Sequence, residues 1–277
     1  MNILDPQGPV GAAEKTILID SLGIMLAIVV PTIVAILAFA FWFRASNTRA
    51  RYQPKWVYSG QIELVVWAIP AMTVILLGGV AWIGAHELDP GKPIGGPEKP
   101  LRIQVVSLDW KWLFIYPDHN VASLNTLTVP AGVPLQFELT SASVMNAFFI
   151  PQFGSMIYTM NGMTSRLNLR ADQPGTFQGL SSHFSGDGFS GMHFDVHVLA
   201  MDQFSKWAAD GPRSGKKLDE TSYGEIAKAS MNDAPALYML ADPGLFQSIV
   251  TQKVPPSTGA QSGVKGASLP AGVADAR

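Results

Sequence analysis

Hydrophobic positions are arranged in three different ways along this chain. Residues 21–43 (SLGIMLAIVVPTIVAILAFAFWF) and 64–85 (LVVWAIPAMTVILLGGVAWIGA) carry no charged side chain. Each run is long enough to cross a hydrocarbon core, which needs about 20 helical residues. Paired helices in a soluble core keep a polar face over such lengths, so transmembrane helices are predicted over 21–43 and 63–86. Pro31 and Pro70 fall inside these runs, where neighbouring groups in a membrane bundle can satisfy the freed carbonyls. From Leu101 the period changes to two. Leu135, Phe137 and Leu139 alternate with Gln136, Glu138 and Thr140, Leu167 and Leu169 with Arg166, Asn168 and Arg170, and Phe194, Val196 and Val198 with His193, Asp195 and His197. Short alternating strands separated by turn residues predict an antiparallel sandwich or barrel over 101–200. Spacing returns to helical over 201–253 (FSKWAAD, SYGEIAKAS, PGLFQSIV), and 254–277 is mostly Gly, Ala, Ser and Pro, predicting a disordered tail.

Between these blocks lie two connectors. Residues 87–100 (ELDPGKPIGGPEKP) are too rich in Pro and Gly to hold a helix and mark a domain boundary. Residues 44–62 carry Arg44, Arg49, Arg51 and Lys55 with no acid before Glu63, whereas 1–20 carry Asp5, Glu14, Lys15 and Asp20. Positive charge is retained in the cytoplasm, so the connector is expected there, with both chain ends outside. Residues 1–20 lack the separate apolar core of a cleavable signal peptide. Either the first helix starts export itself, or an earlier signal has been removed.

Composition narrows the chemistry. The chain has 277 residues, 14% of them charged, and a formal charge of −2. That gives no basic footprint for nucleic acid. The chain contains no cysteine, which excludes disulfides, a thiolate nucleophile and Cys-ligated copper. His193, Asp195 and His197 share one face of a predicted strand. They could ligate zinc or copper, but a solvated outer face explains the same alternation and is the favoured reading. His86 at a membrane boundary and His119 beside Asp118 read as polar surface.

Two membrane helices followed by an external sandwich resemble subunit II of heme-copper respiratory oxidases. The likeness is carried by VSLDWKW (106–112), SVMNAFFIP (143–151) and GLSSHFSGDGFSGM (179–192). It implies a cupredoxin-like domain in which copper-binding members hold a binuclear copper with two cysteines, two histidines, a methionine and a backbone carbonyl. Here Asn146 and Phe189 stand at the histidine positions and Ser181 and Ser185 at the cysteine positions. Met192 is kept, and the carbonyl position falls at His183. Serine hydroxyls are hard, weak donors that stay protonated near neutral pH and cannot replace bridging thiolates. Within the family this pattern resembles the copper-less, quinol-oxidising branch, cytochrome bo-type ubiquinol oxidases.

The resemblance implies a non-redox subunit of a proton-pumping ubiquinol oxidase in the bacterial inner membrane, with both termini periplasmic. It implies no cofactor in this chain. Hemes and copper are expected in a partner catalytic subunit I, other oxidase subunits and membrane lipids as partners, ubiquinol as the substrate of the complex, and no cytochrome c. It also places Glu63 near a proton entrance of the partner, although a boundary carboxylate snorkelling to water fits equally. Trp110 and Trp112 read as subunit-interface anchors, with core packing the alternative. A different function class, a stand-alone membrane-anchored binding module without redox activity, is separated from the first by co-purification with a heme-bearing subunit.

Overall fold

A computed structural model describes residues 3–51, 53–96, 98–213 and 215–254. The predicted tail, from residue 255 onward, lies outside the described residues. The chain divides into two compact units, residues 12–89 and residues 1–11 with 90–277.

The first unit is helical. α1 (Pro9–Trp42) and α2 (Gly60–Glu87) are both long and apolar enough to cross a membrane. α1 begins well before the predicted position 21, so residues 9–20 belong to the helix rather than to a separate tail. Pro9 suits the first helical position, and Glu14, Lys15 and Asp20 simply continue the helix beyond its charge-free part. Inside the apolar runs, Thr32 donates its hydroxyl to the Ile28 carbonyl and Thr73 to that of Ile69, each at 2.7 Å. Each bond satisfies a hydroxyl that an apolar surround would otherwise leave without a partner. Gly84 lets the helices approach closely, because a Cβ there would lie 2.7 Å from Ile17 Cδ1.

The second unit is a two-sheet sandwich. Its first ten strands are β1 (Leu101–Leu108), β2 (Lys111–Tyr116), β3 (Val121–Leu124), β4 (Thr126–Pro130), β5 (Pro134–Ser141), β6 (Asn146–Phe149), β7 (Met156–Thr159), β8 (Ser165–Arg170), β9 (Gly175–Ser181) and β10 (His193–Leu199). After these come α3 (Met201–Asp210), β11 (Lys217–Leu218), α4 (Glu220–Ile226), β12 (Ala236–Leu240) and α5 (Leu245–Val250). One sheet runs β11-β12-β3-β2-β1-β5-β8 and the other β4-β10-β9-β6-β7. The sandwich is cupredoxin-like but not purely antiparallel, since β1 pairs with β5, β4 with β10 and β11 with β12 in parallel. Alternation alone is blind to this: it reports a buried face, not the direction of the neighbouring strand.

Between the sheets the core is aromatic. The Phe148 and Phe194 rings stack at 5.4 Å, and Trp112 meets them edge-on at 5.4 and 5.6 Å. Gly179 stands opposite Phe194 in the β9–β10 register, and a Cβ there would lie 2.0 Å from that ring. A second core covers the far face of the larger sheet. Val106, Leu108, Leu113, Ile115 and Leu124 pack there with Leu218, Tyr223, Leu240, Leu245, Phe246 and Ile249. β2 is therefore buried on both faces, and its sequence KWLFIY shows no polar alternation. The predicted all-helical 201–253 proves mixed. Its three short helices flank β11 and β12, and β12 extends the sheet by pairing with β3.

Two segments outside the strands are tied to this unit. The Gln7 amide donates to the Gln152 carbonyl (2.7 Å), and the Asp172 amide to that of Gln7 (2.8 Å). A Cβ at Gly8 would lie 2.0 Å from the Arg170 carbonyl oxygen, so only glycine fits. Within the 87–100 connector, the Pro90 carbonyl accepts from the Asn168 amide (2.9 Å) and from its Nδ2 (3.1 Å).

Candidate functional site

The candidate site lies where β6 starts, β9 ends and the loop 182–192 leads into β10. Pairing of β6 with β9 sets Phe148 beside Ser181, which brings Asn146 close to the same strand end. Ser181 Oγ lies 3.2 Å from both Asn146 Oδ1 and the His183 carbonyl. A hydroxyl has one proton, so it donates to one of these acceptors at a time. Asn146 Nδ2 donates to the Val144 carbonyl (3.3 Å), and Ser185 Oγ to Met192 Sδ (3.9 Å). Asn146, Ser181 and Met192 are at most 2% exposed, and Ser185 is 9% exposed.

Five of the six degenerate ligand positions thus join local contacts around one strand end. Phe189 joins none of these hydrogen bonds; its ring packs against Phe184 at 5.6 Å. The His183 ring lies edge-on to Tyr158 at 5.8 Å. The donors that converge are an amide oxygen, two hydroxyls, a carbonyl and a thioether. Four hard, neutral oxygens and one thioether do not fit a binuclear copper, which requires bridging thiolates and imidazoles.

Trp110 borders this loop. It takes a left-handed conformation (φ 63°) at the β1–β2 turn, and its Nε1 donates to the Ser185 carbonyl (3.0 Å). Gly188 lies flat against the indole, where a Cβ would come within 2.4 Å. Trp110 is partly exposed, whereas Trp112 is 0% exposed and sits inside the aromatic core. Trp112 is therefore not an interface anchor, since a wholly buried ring cannot reach a partner. The sequence presents two similar tryptophans, but the turn between the strands separates their environments.

β10 directs Phe194, Val196 and Val198 inward, with His193 and Asp195 exposed and His197 partly so. His193 and Asp195 line a cavity of about 290 Å³ with Trp110, Asn125, Gln178 and Asp233. His197 is absent from that lining and lies 3.4 Å from Thr176 Oγ1 through its Nδ1. Among the described residues, no group of three or more His, Cys, Asp or Glu side chains is placed to hold a metal ion. Glu63 is exposed in the first turn of α2, where its charge complements the positive end of the helix dipole. His86 Nδ1 lies 2.8 Å from the Trp82 carbonyl, and the His119 ring packs edge-on against Phe204.

Two buried charges lie outside the residues that the sequence points to. Lys111 is 3% exposed, and its ammonium reaches Asp233 Oδ2 (2.7 Å), the Lys228 carbonyl (2.8 Å) and the Ser230 hydroxyl. Partial burial pushes the Asp233 carboxyl up, but the bonds from Lys111 and Ser230 outweigh it and hold the group below its usual range. Nearby Asp109, 1% exposed, accepts from the Ser143 hydroxyl through Oδ1, while its Oδ2 has no hydrogen-bond partner. Burial, reinforced by the Asp109 charge, pushes the Tyr223 phenol above its ordinary value. The available signal was a lysine heading an otherwise apolar run (KWLFIY), since a lone cation on a strand buried on both faces needs a partner.

The chain is similar to several known proteins. Residues 213–257 match the family model described as the COX Aromatic Rich Motif, the stretch that carries β11, α4, β12 and α5. Cytochrome bo(3) ubiquinol oxidase subunit 2 from Pseudomonas putida is 45% identical over 248 residues, covering 90% of this chain and 79% of the relative. Ubiquinol oxidase subunit 2 from Acetobacter aceti is 43% identical, covering 91% and 82%. The periplasmic domain of subunit II of cytochrome oxidase from Bradyrhizobium japonicum, a solved structure, is 25% identical. It covers 41% of this chain and 94% of its own, with a TM-score of 0.39. This chain belongs to the ubiquinol oxidase subunit 2 family of the heme-copper oxidases, the family of cytochrome bo(3) ubiquinol oxidase subunit 2.

Proposed function

We propose that the chain is the non-redox subunit of a proton-pumping ubiquinol oxidase of the bacterial inner membrane, and that it supports a heme-bearing subunit I. Quinol oxidation and oxygen reduction take place in that partner, which carries the hemes and the copper. The observation that carries this reading is the set of neutral groups at the former ligand positions. Asn146, Ser181 and the His183 carbonyl form one hydrogen-bonded group and Ser185 and Met192 another, and none ionises near neutral pH to bind copper. A donor dissolved in the bilayer delivers electrons without an external relay, so no cytochrome c is used.

In this reading the connector bearing Arg44, Arg49, Arg51 and Lys55 is cytoplasmic, and the β-domain and both termini are periplasmic. Glu63, at the connector end of α2, then stands on the cytoplasmic side, where it hands protons toward the partner subunit. Trp110 is the remaining candidate for an interface anchor, being the partly exposed member of the pair. The test is purification through a tag on this chain. The expected result is co-purified heme and rapid oxygen uptake with a ubiquinol analogue but not with reduced cytochrome c, assayed at low ionic strength, where electrostatic docking is strongest. Fast cytochrome c oxidation abolished by salt would overturn the reading, and a heme-free preparation would favour a stand-alone module.

A further inference from the structure

We infer that the connector between α1 and α2 holds the headgroup of an anionic phospholipid. Trp42 and Phe43 at the end of α1, together with Arg49, Arg51, Gln53 and Trp56, enclose an open cavity of about 590 Å³. The loop is folded rather than merely basic. Asn47 Nδ2 donates to the Trp42 carbonyl (2.5 Å), the Arg49 amide donates to Asn47 Oδ1 (3.1 Å), and the Trp56 amide to the Gln53 carbonyl (3.2 Å).

The charges in this cavity are uncompensated. No Asp or Glu occurs from residue 21 to 62. Among the described residues no carboxylate pairs with Arg49 or Arg51. Arg44, outside the cavity, is already engaged over the Phe41 ring at 4.1 Å and with Ser46 Oγ at 3.0 Å. Two guanidiniums facing one cavity suit a phosphodiester, since each presents a planar fork of donors. The aromatic walls suit the boundary where acyl chains meet headgroups. An anionic phospholipid is the occupant that offers both, with its phosphate on Arg49 and Arg51 and its chains along Trp42 and Phe43. The inference rests on the reading that α1 and α2 span a bilayer.

The experiment places the full chain in nanodiscs containing brominated phosphatidylglycerol or brominated phosphatidylcholine. Quenching of Trp56 is read as the difference between the chain and its Trp56→Phe variant. The expected result is stronger quenching by the anionic lipid. Each guanidinium near the headgroup favours that lipid about fivefold, so Arg49→Gln or Arg51→Gln should each lower the preference by about that factor. Lys55→Gln, which removes a charge outside the cavity, should leave it largely intact. Equal quenching by the two lipids would overturn the inference. So would an effect of Lys55→Gln as large as that of Arg51→Gln, which would indicate diffuse attraction, or relief by millimolar inorganic phosphate, which would indicate a free-anion site. Trp67 and Trp82 in α2 serve as the control. If neither lipid quenches them, the helices do not span and the membrane reading fails as well.

Discussion

Removing either partner of the Lys111–Asp233 pair should cost very different amounts. The Lys111 ammonium is 3% exposed, whereas the Asp233 carboxylate is 33% exposed. In Asp233→Asn the ammonium stays buried, with only Ser230, the Lys228 carbonyl and a neutral amide oxygen to face. Stranding a buried charge in this way costs about 3–5 kcal/mol, and the remaining acceptors put the expected value near the lower end, about 3 kcal/mol. In Lys111→Met the stem is kept and the charge removed, and the half-open carboxylate recovers water. That variant should lose only about 1–2 kcal/mol. The double variant should resemble Lys111→Met, because the stranded charge is gone. The loss should be local, opening the segment around 228–240 first. At about 3 kcal/mol, cleavage there accelerates on the order of a hundredfold while opening stays fast relative to cleavage. The assay is limited proteolysis of the detergent-solubilised chain, with cut sites identified by mass spectrometry. Greater sensitivity of Lys111→Met than of Asp233→Asn, or no difference between them, would refute the argument from unequal burial.

Three further outcomes are expected. Because the Asp233 carboxyl is held below its usual range, the pair's contribution is complete above the unfolded value of about 3.9 and is lost as pH falls through the folded value. The same segment should therefore become protease-sensitive in acid, and persistence of the Lys111→Met difference at the acid extreme would count against this. For topology, a cysteine at Ser46 should react with an impermeant thiol reagent only from the cytoplasm and one at exposed Thr164 only from the periplasm; the opposite pattern would reverse the proposed orientation. In the assembled oxidase, Glu63→Ala should slow oxygen reduction roughly threefold or more at unchanged heme content, with Glu63→Asp partly restoring it, whereas undiminished turnover would make Glu63 only a boundary residue.

Legibility in the sequence followed burial. β10 could be read because one face meets solvent, so His193 and Asp195 interrupt Phe194 and Val196. β2 could not, since both its faces are covered and its alternation is erased. α1 was recognised by its charge-free part, but its start at Pro9 was missed because charge, not helical propensity, set the boundary. β12 escaped notice because a five-residue strand between short helices has no period long enough to detect. At the candidate site, the members could be named only through the resemblance of the loop to the family's pattern. What those members now do, hydrogen-bonding across β6 and β9, depends on register. The Lys111–Asp233 pair joins residues 122 positions apart, and no local pattern links them.

The double covering of β2 also determines where this chain can be cut. A protein ending at Ala200 would keep the aromatic core yet bare Leu113, Ile115, Val106 and Leu108, which now meet Tyr223, Leu240 and Phe246. Such a continuous apolar face seeks another molecule once its own cover is gone. The C-terminal stretch is thus a wall of the building rather than an extension, and a soluble fragment must run from about Pro90 through α5. Shorter versions are expected to precipitate while the inner core stays folded, so insolubility alone would misreport which half of the domain had failed.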